Sequence, residues 1–412
     1  VASSRLTMRC ADRGGTALAK QQVTTSSANT QHAINIVIDR GPVSFACGST
    51  EGGGEYIADT SLDVGTHSLA FTPTASTFWI QFFTRSEIEV RITNCAIESS
   101  WVLSFTAPWT ADNLREIRSD QSADIVYLAH TDWQPRKIER RGDASWSLTV
   151  YRTADGPFTT AKTADVKLTP ASFNGNTTLS SDRNFFTSGH VGALFRIFHE
   201  GQTSAYSLAA LNEHSDAIKI VGIGSVDRAF TYTLAGTWIG TINFQRSYDG
   251  PDNGFISFSA NTVNASGTTE DSATHNGVET WYRVAFTSYT SGVAQTQLTI
   301  RGAGGAWGIC RVVAYNSPTS VDIEILSPFM NNIASDEWVE GEWSSEQGWP
   351  SAVALFDGRL WWARDDQFWA SESDDYTAFN LETEGDAGSI HRSIATGGSV
   401  NFVNWMMPTQ RL

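Results

Sequence analysis

The carboxylates are where this chain could most readily do chemistry. Asp365, Asp366, Glu372, Asp374 and Asp375, followed by Glu382, Glu384 and Asp386, make its densest acidic run. Two carboxyls held about 5–10 Å apart can hydrolyse a glycoside, and carboxylates joined by loop carbonyls can bind calcium. The run lacks calcium-loop spacing, so a solvated acidic surface is expected. His130 and Asp132, with Asp124 close by in sequence, have the types of an acid/base set. They end one expected strand and start a turn, where capping is commoner than catalysis. The eight histidines are scattered, without a His-x-x-x-His pair or a carboxylate at metal spacing, which argues against zinc.

Trp338, Trp343, Trp349, Trp361, Trp362 and Trp369 crowd into one stretch. Such rings could stack on sugars, but tryptophans alternating in strands more often pack a core or a subunit interface. Ser247-Tyr248-Asp249-Gly250 through Gly254 looks like a degraded sialidase Asp-box, which even intact marks a structural turn. Arg141-Gly142-Asp143 is a tripeptide that arises often by chance. No Gly-rich phosphate loop, serine nucleophile elbow or Cys–His arrangement occurs, so neither catalytic residues nor a cofactor is expected. Cys10, Cys47, Cys95 and Cys310 are too sparse for a disulfide scaffold and are expected as small buried residues, with one bridge among the first three as the alternative.

The elements that must position these residues are strands. At 412 residues the chain should hold about two to four units of ~100–200 residues. Only 17% of residues are charged, below the usual ~25%, while Ser and Thr abound, which excludes a helical bundle. The formal charge of −16 excludes duplex gripping by net charge, yet it would let nucleic acid slide past without sticking. No apolar run approaches the ~18 residues of a membrane span and no signal peptide opens the chain, so a soluble protein is expected. The chain starts at Val1 and stops just after a fresh apolar stretch, Val400 to Met407, as expected of a fragment of a longer polypeptide.

Period-two alternation starts at His32: Ile34, Ile36 and Ile38, then Leu69 and Phe71, then Phe78, Ile80 and Phe82, then Ile88, Val90 and Ile92. Short alternating strands with turn signals predict a jelly-roll-like β-sandwich over residues 1–104. One short helix is expected next, capped by Thr110, with Asp112 in its first turn and Leu114 and Ile117 on one face. Strands follow at Ile125 to Ala129 and Trp146 to Val150, with Pro135 breaking the chain between them. Residues 156–222 are expected to form a small β-rich subdomain. A second sandwich is expected over 223–328, with Asn261 to Asn276 as its least ordered loop. In 329–412, Asp357-Gly358 between two apolar runs predicts a tight hairpin, which Gln367 to Ser371 would extend into a propeller-like meander.

Two segments resemble a known family. The run LREIRSDQSADIVYLAH contains Gln121, Ser122, Ala123, Asp124 and His130, and is followed by Pro135-Arg136-Lys137-Ile138 and Ser145-Trp146-Ser147-Leu148. The second runs from Trp349-Pro350 through Gly358-Arg359-Leu360-Trp361 to Trp369-Ala370-Ser371 and Asp375-Tyr376-Thr377-Ala378-Phe379. Both resemble the tail nozzle proteins (tail tubular protein B) of short-tailed bacteriophages and their prophage relatives. The resemblance implies a homo-oligomeric, hexameric tube at the distal end of the virion tail, built on a β-propeller with inserted β-domains. It also implies that the tube extends the DNA exit channel, holds it shut until infection, and meets a tail adaptor, tail fibre proteins and DNA in transit.

The resulting expectation is an all-β, non-enzymatic structural protein: β-sandwich domains attached to partial propeller segments at 105–155 and 329–412. In this picture Asp365, Asp366, Glu372, Asp374 and Asp375 face the channel. The alternative is an adhesin whose 1–104 sandwich binds a host surface glycan. A polysaccharide-degrading tail enzyme is a third and weaker option.

Overall fold

Alternation places one row of each early strand indoors. β1 (Leu6–Met8), β2 (Ala17–Thr24), β3 (His32–Arg40), β4 (Val43–Gly48), β5 (Ile57–Leu62), β6 (Gly65–Phe71), β7 (Thr77–Thr84) and β8 (Val90–Glu98) make two antiparallel sheets. Their orders, β1-β8-β3-β6 and β2-β7-β4-β5, are those of a jelly roll. Ile34, Ile36, Ile38 and Leu69 of one sheet pack against Phe45, Phe78, Ile80 and Phe82 of the other. The computed structural model describes residues 5–10, 15–25, 27–86, 88–98, 102–172, 175–199, 201–220, 228–270, 278–300, 306–381, 385–394 and 402–408.

The jelly roll ends with β8, but one of its sheets runs on past residue 104. β9 (Arg118–Ser122), β10 (Ile125–His130), β11 (Trp133–Gly142) and β12 (Ser145–Val150) form a four-stranded meander, and β12 pairs with β6. One eight-stranded sheet, β1-β8-β3-β6-β12-β11-β10-β9, therefore serves both halves. At the β6–β12 seam His67, Ser68, Ser147 and Thr149 are fully buried. The Asp63 carbonyl, 2.8 Å from His67 Nε2, can only accept, so Nε2 carries the proton and Nδ1 accepts from the Ser147 hydroxyl at 2.8 Å. The segment after β8 is tied to this sheet by Asn35 and Thr66, which donate to the carbonyls of Ser104 and Thr106.

Two local expectations fail here. The helix after Thr110 is a single 3₁₀ turn, Leu114–Glu116, because the chain is extended again at Ile117 and enters β9. Thr110 does not cap it; its own N–H and hydroxyl donate to the Asn113 side chain. Pro135 does not break the chain either. It lies within β11 and its carbonyl accepts the Tyr151 N–H at 2.8 Å, so its nitrogen faces the same way, just past the last β11–β12 pair, Arg136 with Val150, where the strand ladder needs no donor.

β13 (Leu168–Pro170), β14 (Asn176–Ser181), β15 (Leu194–His199), β16 (Gln202–Leu208), β17 (Ile218–Ile220), β18 (Ala229–Ser247), β19 (Ile256–Asn261), β20 (Ala265–Glu270), β21 (Thr280–Ile300), β22 (Ala306–Ser317), β23 (Ser320–Ser327) and β24 (Trp338–Glu340) follow. One sheet runs β13-β14-β23-β22-β15-β24; the other runs β16-β21-β18-β19, with β17 on β21 and β20 on β18. Residues 156–222 thus supply strands to the same two sheets as residues 223–328, so no separate subdomain forms between them. β20 occupies the expected loop and pairs with β18 from Ala229 to Leu234, while positions 271–276 of that loop lie outside the described residues. Tyr232, Phe244, Tyr282 and Phe286 belong to the core of the second sheet.

A last meander, β25 (Ala352–Phe356), β26 (Arg359–Arg364), β27 (Gln367–Ala370) and β28 (Ile390–Ser393), closes the described chain. Asp357 and Gly358 have φ of 53° and 68°, the doubly left-handed turn that the Asp-Gly pair predicts. The chain is all-β, in two compact units: Val1–Thr159 with Ser188–Leu194 and Gly341–Leu412, and Thr160–Thr187 with Phe195–Glu340. All four cysteines are free; Cys10, Cys47 and Cys310 are buried, whereas Cys95 is exposed at the residue level. No helix among the described residues is long and apolar enough to cross a membrane.

Candidate functional site

The residues that carry the family resemblance lie on two four-stranded blades, β9–β12 and β25–β28. Far apart in sequence, these blades share one aromatic core: Tyr127, Ala129 and Tyr151 on the first side, Trp343, Trp349, Val353, Leu360, Trp362, Trp369 and Phe379 on the other. Tyr151 lies 4.9 Å from Trp362 between ring centres, and Trp343 meets Trp369 edge-on at 5.7 Å. Burial raises the Tyr151 hydroxyl well above its ordinary value and pushes Tyr127 up to about 12, so both stay protonated at neutral pH. Polar ties cross the same contact. The Asp120 carboxylate accepts the Leu355 N–H at 2.6 Å, and the Tyr151 hydroxyl donates to the Tyr376 carbonyl.

Individually these residues hold turns and strands. Gln121 donates to the Ala123 carbonyl at 2.8 Å in the Ala123-Asp124 hairpin, where Ala123 has a φ of 49° and Ser122 pairs with Ile125. Asp124 meets Arg140 at 3.3 Å across an exposed pair, and the Arg140 guanidinium lies 5.9 Å from the Trp146 ring centre. His130 sits at the opposite end of β10 from Asp124, so the acid/base set is not assembled. Its Nδ1 instead accepts the Asp132 N–H at 3.1 Å and steadies the β10–β11 turn. Trp349 and Pro350 are buried before β25, and Leu360 is fully buried within β26. The Trp361 indole N–H donates to Phe356 at 3.1 Å.

Arg359 is the one residue of this group whose side chain organises a loop. It is 6% exposed, and its guanidinium donates to the main-chain carbonyls of Ser371, Asp386, Ala387 and Gly388. Those carbonyls come from the long connection between β27 and β28. Sequence reasoning singled out Arg359 only through the resemblance; nothing local distinguishes a buried strand arginine from an exposed one.

The acidic run is divided by the fold. Asp365 and Asp366 form the β26–β27 turn, whereas Glu372, Asp374 and Asp375 follow β27 at the other end of the blade, next to Asp357 and Gly358. The Asp374 N–H donates to the Gly358 carbonyl at 2.9 Å. The six residues of β26 separate the two groups by about 20 Å at ~3.3 Å per residue. Asp375 is engaged by the N–H and hydroxyl of Thr377, at 2.9 and 2.8 Å, and Asp365 lies 3.8 Å from Arg364. Glu382 and Glu384 lie outside the described residues. Among the described residues no group of three or more His, Cys, Asp or Glu could hold a metal ion. The degraded Asp-box is a turn: Ser247 Oγ accepts the Asp249 N–H at 3.0 Å and donates to the Asn253 carbonyl.

No family model matches the chain, and no curated protein matches it. Among solved structures, an IolB-like protein from Salmonella typhimurium LT2 is 9% identical with a TM-score of 0.14, over 71% of this chain and 86% of that one. A lectin from Pleurotus ostreatus, solved with GalNAc, is 10% identical with a TM-score of 0.11, over 79% and 77%. At those scores neither likeness carries an argument about this chain.

Proposed function

We propose that this chain is a structural subunit of a phage tail, a nozzle-like wall of the DNA ejection channel, with no catalytic step of its own. The observation that carries this reading is the meeting of the two resembling segments as adjacent four-stranded blades on one tryptophan-rich core. Rigid antiparallel walls and a net charge of −16 suit a conduit that must not retain DNA. The partners of this reading are further copies of the chain in a ring, a tail adaptor, tail fibre proteins and the passing genome.

Gold labelling of intact virions with an antibody to this chain should mark the distal tail; label on the capsid shell overturns the proposal. The two acidic ends of the β25–β28 blade give a second handle. Asp365→Asn with Asp366→Asn, and separately Glu372→Gln with Asp374→Asn and Asp375→Asn, should make purified tubes retain DNA for whichever end faces the lumen. Indifference of both sets removes the acidic lining. A second reading, glycan recognition by the jelly roll, is favoured by one observation: the outward face of β2-β7-β4-β5 carries aromatic rings where a solvated face is ordinarily polar.

A further inference from the structure

On β7, Phe78, Ile80 and Phe82 point into the jelly-roll core, so Trp79, Gln81 and Phe83 point out. Strand register sets their neighbours. Trp79 lies between Gln22 of β2 and Gly48 of β4; Gln81 between Lys20 and Ala46; Phe83 between Leu18 and Ser44. The three β4 neighbours are all small; Ser44 leaves the β4 side of Phe83 low, whereas the space over Gly48 beside Trp79 is taken by Glu55 and Gly53. Leu18, at 51% exposure, adds an apolar edge.

The Gly-rich connection between β4 and β5 folds back onto this face. Glu51 pairs with Lys20 at 3.5 Å, and the Gly52 carbonyl accepts from Gln81 at 3.3 Å. A Cβ on Gly48 would fall 2.2 Å from the Glu55 carboxylate and 2.4 Å from Gly53, so only glycine lets the connection leave the sheet so tightly. Glu55 accepts the Ser49 N–H at 3.0 Å, and hydrogen bonds to main-chain amides hold its carboxyl below the usual range. The result is a raised polar rim clasped over the Lys20–Gln81 row, with the Trp79 ring on one side and the Phe83 ring on the other. The two rings are four residues apart, about 13 Å at ~3.3 Å per residue.

We infer that this rimmed face of the jelly roll is a glycan-binding site, taking a neutral oligosaccharide that stacks on Phe83 and Trp79 on either side of the rim and hydrogen-bonds to Gln22 and to the rim that Gln81 holds in place. The chemistry favours a sugar over a protein. The centre of a protein interface is a contiguous apolar patch depleted of charge. Here each ring is set apart from the next by an amide and an ion pair, which matches the alternating C–H faces and hydroxyls of linked pyranoses. The ion pair is internal and leaves no excess of positive charge to select an anionic polymer. The separation of the rings suits several sugar units rather than one. This inference rests on the second reading of function and supplies its site.

The test is binding of the full chain to a printed array of neutral and anionic oligosaccharides, followed by titration of the best neutral probe against wild type, Phe83→Ala and Trp79→Ala. Urea unfolding of each variant checks that the jelly roll persists. Folded variants that lose about tenfold or more in affinity for a neutral oligosaccharide are the expected result. Where a ring substitution unfolds the chain, Gln22→Ala, on the exposed edge strand, should still weaken binding severalfold. A glycan bound equally well by every variant overturns this site while glycan recognition stands; no glycan bound by wild type overturns both. Variants that change the light-scattering mass and not glycan binding would make the face a subunit contact, which also overturns the site.

Discussion

The jelly roll and the pair of blades share a sheet but not a kind of core. The jelly-roll core is drawn from one continuous stretch, residues 6 to 97, and is filled mainly by Ile, Phe, Val and Leu from two facing sheets. The blade core joins residues 125–151 to residues 343–379 and is filled mainly by Tyr and Trp meeting at angles. Aliphatic side chains on twisted sheets interdigitate wherever alternation is kept, so the first core tolerates many sequences of the right pattern. Large rings brought together from distant segments must meet in particular geometries, so the second core depends on individual residues. The eight-stranded sheet couples the two.

Trp362→Ala should have the largest effect. The ring is fully buried between Tyr151 and Trp343, and its loss should cost about 3–5 kcal/mol in urea unfolding. Ile36→Ala, at the centre of the other core, should move the same transition by about 2–5 kcal/mol, because β12 pairs with β6 at five positions. Two separate transitions would break the coupling.

His67, buried at the seam, should make that coupling sensitive to acid. Burial pushes its pKa down to about 4, with Asp63, Glu139, Arg141 and Ser147 around it. The unfolded chain binds the proton near pH 6.5 and the folded chain does not, so the stability in question is fully present above about 6.5. It should decline by about 3 kcal/mol as pH falls towards 4 and change little below that. Urea midpoints between pH 7.5 and 4 measure this, and His67→Gln should flatten the slope.

Arg359→Ala should be milder for the whole chain and sharper locally. It leaves four carbonyls without their donor, costs about 1–3 kcal/mol and should expose the 371–389 connection to limited proteolysis. Arg359→Lys should restore part of the protection. Gly358→Ala should cost least, about 1 kcal/mol by thermal melting, because φ of 68° is strained for a residue with a Cβ.

Strand content, the jelly-roll core and the Asp-Gly hairpin followed from the chain alone because each depends on neighbours one or two positions apart. Period-two patterning fixes which side chains turn inward, and two left-handed dihedrals fix the hairpin. That patterning named the inward row of β7 and passed over Trp79 and Phe83, which the strand register places on its outward face. Local pattern misled at Thr110, where a helical start is cut short by a strand, and at Pro135, whose missing donor faces the end of the β12 ladder. Only the tertiary structure decided that the sheet runs on past residue 104, that the acidic run is split between two ends of one blade, and that Arg359 and His67 are buried. Those outcomes depend on which edges pair and which distant rings meet, and edge pairing and burial are properties of the assembled sheet rather than of any short segment.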